Sequence, residues 1–143
     1  MKRNFYIIIC VLFIKNVYAM HCPLPTELEH QPGHPWMLSA AYMNQGWNIS
    51  SDSTAQSSPL THIPDNQQLY VQLYPQNPSA IKATCSYHVS HSQDNFGWIW
   101  VTHSVAFDPA TVSVPPYKQN TTRPLGFRCD IVAANARSCS WGK

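Results

Sequence analysis

The sequence gives little encouragement to helices. Twelve prolines interrupt it, and no window of a dozen residues places apolar side chains at i, i+3, i+4 and i+7 between capping residues. Charge is scarce as well, since Asp, Glu, Lys and Arg make up 11% of the 143 residues and none of the cations gather into the basic stripe that a phosphate backbone needs. Nucleic acid is therefore not an expected partner. No Cys-x-x-Cys or Cys-x-x-His pair occurs, which argues against a zinc-thiolate centre. Gly-x-Ser-x-Gly and His-Glu-x-x-His are missing too, so the common hydrolase signatures are not there. The carboxylates Glu27, Glu29, Asp52, Asp65, Asp94, Asp108 and Asp130 fall mostly in expected loops, with no evident acid-base pairing.

What is present begins with a leader. Lys2 and Arg3 precede ten unbroken apolar or aromatic residues, Phe5 to Ile14, and Val17-Tyr18-Ala19 supplies a cleavage site. The run ends at Lys15, short of the roughly 20 residues that span a bilayer. Residues 1–19 are thus expected to be a signal peptide, residues 20–143 a single secreted or periplasmic β domain, with no stable membrane anchor after cleavage. Loss of Lys2, Arg3 and Lys15 leaves six basic against seven acidic residues, a net charge near −1. The formal +2 of the whole chain belongs to the leader.

Cysteine supports the same compartment. With Cys10 in the leader, Cys22, Cys85, Cys129 and Cys139 remain, an even set that implies two disulfides in an oxidising environment. Loop-closure entropy favours Cys129 with Cys139 and Cys22 with Cys85. Cys85 with Cys129 and Cys22 with Cys139 is the competing arrangement, and the sequence leaves both open.

Short β-branched and aromatic runs separated by Pro, Gly, Asn and Ser predict strands at 38–43, 46–49, 68–74, 80–89, 97–105, 111–114 and 125–132. The expected fold is all-β, a small disulfide-braced β-sandwich or barrel of about six to eight short strands. Residues 50–66 and 91–96 read as loops, the first as a mobile one. Pairing Ser90 with Gly97 in the central hairpin puts Ile81, Ala83, Cys85, Tyr87, Val89, Trp98 and Trp100 on one core face. It also sets His103 opposite Thr84, four residues from His88 and about 13 Å along the strand, too far to share an ion.

Three kinds of site are candidates. Five tryptophans invite a carbohydrate-binding surface, and with Trp98 and Trp100 assigned to the core, Trp36, Trp47 and Trp141 are the remaining platforms. Cleavage after Ala19 leaves a free amine beside His21, with His30, His34, Met37 and Met43 nearby. Amine, imidazole and thioether are ligand types that suit copper. Asn48-Ile49-Ser50 and Asn120-Thr121-Thr122 fit the glycosylation sequon, relevant only in a glycosylating host.

Cys22-Pro23 directly after the leader, Cys85-Ser86-Tyr87 in a central strand and a closing Cys139-Ser140-Trp141 together resemble a family of short exported bacterial proteins of unknown function. The resemblance implies export and a compact domain, and no activity. The reading that follows is a non-enzymatic secreted or periplasmic interaction module, needing no cofactor, whose loops present a surface to a protein or glycan partner. A periplasmic copper-binding protein using the mature N-terminus and His21, and a carbohydrate-binding module, are the alternatives.

Overall fold

The computed structural model describes residues 20–77, 79–92, 95–106, 117–119 and 126–141. The expected leader, the expected strand at 111–114 and the second sequon lie outside them.

The described residues form two antiparallel sheets and only short helical turns. A two-stranded sheet pairs β1 (Leu28–Glu29) with β2 (Met37–Leu38). The main sheet holds β3 (Asn48–Ser51), β4 (Gln68–Asn77), β5 (Ala80–Ser92), β6 (Asn95–Ala106), β7 (Lys118–Gln119) and β8 (Phe127–Val132) in the order β3-β6-β5-β4-β8-β7. The all-β expectation holds, with the sheet open rather than closed into a barrel. The long central strands exceed the short ones expected: β5 runs for 13 residues and β6 for 12. Where a strand is expected over 38–43, the chain instead turns into α1 (Ala40–Met43) immediately after β2. Two alanines and a methionine at helix-compatible positions carry no strand preference of their own, so local turn geometry decides.

Period-two alternation puts one face of the main sheet in the core. Leu69, Val71 and Leu73 of β4, with Ile81, Ala83, Cys85, Tyr87 and Val89 of β5, have no exposed surface. Each large side chain of this set contributes roughly 1.5–3 kcal/mol by leaving water. The N-terminal segment covers them. Leu28, Trp36, Leu38, Trp47, Ala55 and Ile63 join the same buried cluster, so a second layer lies over the sheet.

The β5–β6 register corrects the expected one by a single residue. Val89 pairs with Gly97, Tyr87 with Ile99 and Cys85 with Val101, so Ile99 and Val101 fill the core while Trp98 and Trp100 point to the other face. Both alternating sets of β6 are apolar, and polarity alone does not choose between them. Gly97 does. A Cβ there would lie 2.3 Å from the backbone nitrogen of Ala55 in α2 (Ser53–Gln56), which crosses directly over β6. Only a residue without a side chain fits beneath that turn, and its neighbours' facing follows.

The second correction concerns residues 50–66. Instead of an open loop they supply the end of β3, the turn α2 and three fully buried residues, Ala55, Ser58 and Ile63. Two disulfides fasten the layers. Cys22 joins Cys85 with Cα atoms 5.8 Å apart, and Cys129 joins Cys139 at 6.2 Å, resolving the two pairings the sequence leaves open. Beside the first, the Tyr87 hydroxyl donates to the Pro23 carbonyl. Its burial pushes the Tyr87 hydroxyl well above the usual tyrosine range, which keeps it a donor.

Candidate functional site

The face turned away from the core is built by the complementary set of positions. β4 contributes Tyr70, Gln72 and Tyr74, β5 contributes Lys82, Thr84, Ser86 and His88, and β6 contributes Trp98, Trp100 and Thr102. β8 adds Arg128 and Asp130, which register opposite Gln72 and Tyr70. Polar and aromatic residues alternate with aliphatic ones along β4, and largely so through the middle of β5 and β6, so the open face and the core follow from one pattern.

The rings on this face touch in sequence. Phe96 lies 4.7 Å from His88 between ring centroids, His88 5.1 Å from Trp98, and Trp98 5.6 Å from Tyr70. The Arg128 guanidinium sits 4.1 Å above the Tyr70 ring centroid, and its Nε donates to Asp130 Oδ1 at 2.5 Å. The cation–π contact and the ion pair hold the Arg128 guanidinium over Tyr70. Desolvation by these rings lowers the His88 imidazole below its ordinary value. It is thus the neutral ring that packs between Phe96 and Trp98.

Two depressions open on the face. One of about 350 Å³ is lined by Tyr70, Gln72, Ser86, Trp98, Trp100 and Arg128. The other, about 560 Å³, shares Gln72, Ser86 and Trp100 with it and extends to Tyr74, Lys82 and Thr84. Trp98 and Trp100 remain half-buried, each with part of its ring towards solvent. Side chains two apart on a strand stand roughly 6.5–7 Å from each other, so successive aromatics of β6 form a row.

The tryptophans proposed as platforms from the sequence are elsewhere. Trp36, Trp47 and Trp141 are 2%, 5% and 3% exposed, and of the three only Trp47 borders a described cavity, one of about 350 Å³ beside Met20, His21 and Tyr42. Trp36 stacks on His30 at 4.5 Å and donates its indole N–H to the Ala55 carbonyl at 2.9 Å. Trp47 stacks on His103 at 4.7 Å and leans on Trp141 at 6.1 Å. His103 itself pairs with Ala83, not Thr84, so it faces the inner layer and its Nε2 meets the Gln45 carbonyl at 2.8 Å. These rings pack in the covering layer together with Leu28, Leu38 and Ile63.

The expected metal ligands also have structural uses. His30 is buried with both ring nitrogens against carbonyl oxygens, Nδ1 at 2.7 Å from Leu60 and Nε2 at 2.9 Å from His34 and 3.0 Å from Gln56. It stitches three stretches of the covering layer together. His21 Nδ1 lies 2.8 Å from the Cys22 carbonyl, and the Met20 nitrogen donates to the Trp141 carbonyl at 2.7 Å. The His34 side chain is exposed. Among the described residues, no three His, Cys, Asp or Glu side chains converge as metal ligands.

The open-face site was missed in the sequence for one reason, the register slip that sent Trp98 and Trp100 inward. A signal that points to it was available in Ser86, His88 and Ser90, the polar residues that share their facing. In comparisons with protein-family models, curated proteins and solved structures, nothing matches this chain. The two disulfides indicate an oxidising environment outside the cytoplasm. Among the described residues no helix is long and apolar enough to cross a membrane.

Proposed function

We propose that the protein is an exported, non-enzymatic module that binds glycans through the open face of its main sheet, in the periplasm or outside the cell. The observation that carries this is the row of rings Tyr70, Trp98 and Trp100 over two joined depressions whose other walls are amide, hydroxyl and guanidinium groups. Sugar rings present one apolar CH-bearing face and an equatorial belt of hydroxyls. Aromatic faces flanked by Gln72, Ser86 and Thr84 match both. A rigid sheet holds these groups in place without an ordering cost on binding.

Binding rather than hydrolysis is favoured by the acid groups. Asp130 is the one carboxylate on this face among the described residues, and it is committed to Arg128. A glycosidase needs two carboxyl groups flanking the bond. Export is supported by the leader-like residues 1–19 and by the cystine pairs.

The test is affinity electrophoresis of the disulfide-bonded protein through gels containing a panel of soluble polysaccharides, acidic and neutral, beside Trp98→Ala and Trp100→Ala. At least one polymer should retard the native protein. Each variant should lose about 1–2 kcal/mol of affinity, roughly five- to thirty-fold, while still unfolding in urea as a cooperative folded protein. Retention of full affinity by both variants would remove the open face as the site.

A further inference from the structure

Charge is distributed unevenly over this nearly neutral domain. Of the four cations among the described residues, Lys82, Lys118 and Arg128 lie on the open face, Lys118 registering directly beside Arg128 across the β7–β8 pair. Arg137 alone is elsewhere, on the 3-10 turn at Ala133–Ser138. The described acids are arranged oppositely. Glu27 and Glu29 belong to the covering layer, Asp52 caps α2, and Asp65 precedes β4, which leaves Asp130 as the single acid on the open face among the described residues. Lys82 lines the larger depression and Arg128 the smaller, and among the described residues no carboxylate lines either.

Resting on the glycan-binding reading, we infer that the ligand is an acidic glycan, one whose sugar units carry carboxylates or sulfates. Its ring faces stack on Trp98 and Trp100 while its anionic groups meet Lys82 on one side and the Arg128–Lys118 pair on the other. Arg128 offers its remaining N–H donors from a position fixed by the Tyr70 ring and by the Nε bond to Asp130. Because both depressions share Trp100, one chain can occupy them together and engage both charges.

The test uses the same protein against a polyuronate and a neutral β-glucan of similar length, in about 50 mM and about 500 mM NaCl. The polyuronate should bind at least about tenfold more tightly at low salt and lose most of that advantage at high salt. Lys82→Gln and Arg128→Gln should each remove about fivefold of the polyuronate affinity, a clearly larger loss than either causes for the neutral glucan, with Arg137→Gln as the silent control. Trp100→Ala should weaken both polymers. Equal binding of acidic and neutral glycans at low salt overturns this inference and leaves the glycan-binding reading standing. Binding of neither polymer, or of any other glycan, removes that reading and this one with it. Tighter binding of a single-stranded oligonucleotide than of the polyuronate would assign the face to phosphate chains and overturn both.

Discussion

The Asp52 carboxylate accepts the backbone N–H of Trp98 at 2.9 Å through one oxygen and that of Ala55 at 2.7 Å through the other. The Asp52 N–H in turn donates to the Trp98 carbonyl at 3.1 Å. One side chain therefore caps α2, closes the β3–β6 edge and fixes the backbone that carries a ring of the open face. The covering layer and the candidate site are joined at this point.

Removing that junction should cost stability in two ways. Asp52→Ala deletes a cap and leaves the Trp98 N–H without its acceptor, an expected loss of about 1–3 kcal/mol. Gly97→Ala should be at least as damaging, because its methyl would meet the Ala55 backbone at 2.3 Å and the Asp52 carboxylate at 2.7 Å. Urea denaturation followed by tryptophan fluorescence measures both. A Gly97→Ala protein of native stability would show that α2 does not lie over β6.

The two cystines should differ in value. Cys22 and Cys85 are separated by 63 residues and Cys129 and Cys139 by 10. Chain-entropy reasoning gives about 4 kcal/mol for the first and about 3 kcal/mol for the second. The double variant Cys22→Ala/Cys85→Ala should also release the N-terminal layer, including the Tyr87–Pro23 contact. Paired denaturation curves of the two double variants decide the order, and a larger loss from the Cys129–Cys139 pair would contradict it.

His30 is expected to be structural. Substituting alanine removes the ring partner of the Leu60 and His34 carbonyls, while the Gln56 carbonyl keeps the Gly33 N–H, and leaves a gap against Trp36, for a cost of about 2–4 kcal/mol. The exposed His62, replaced in the same way, should change stability by less than about 0.5 kcal/mol. Equal midpoints for the two variants would refute the assignment.

His88 gives a pH signature. Burial among the rings lowers it from 6.5, so the folded state holds its proton less tightly than the unfolded chain does. Its contribution to stability is complete above about 6.5 and falls away as the pH drops through the lower folded value. Because the ring is only partly shielded, the effect is small, and NMR titration of its Cε1 proton is the sensitive readout. The midpoint should lie below 6.5 and rise towards it in Trp98→Ala, where the shielding ring is gone. A midpoint at or above 6.5 in the native protein would count against the packing of His88 between Phe96 and Trp98.

Much of the sheet was legible because alternation is local. The inward set of β5, Ile81 to Val89, follows from period two, and the strands at 68–77 and 127–132 appear at nearly their expected places. The site was not legible, because Trp98 and Trp100 alternate with Ile99 and Val101 and both sets are apolar. Pairing Ser90 with Gly97 sent the tryptophans inward. The close pass of α2 over Gly97, which depends on residues some forty positions earlier, settled the reverse.

By itself the sequence determined the strand-forming pattern, the even cysteine set and the poverty of helical signal, all of which depend on neighbouring residues or on simple counts. Only the tertiary structure decided which cysteines pair, which tryptophans fill the interior and which face water, and that three of the four basic side chains among the described residues lie on one face of the sheet. Those outcomes rest on long-range register and on which layer covers which, and a one-residue shift between two strands exchanges the faces completely.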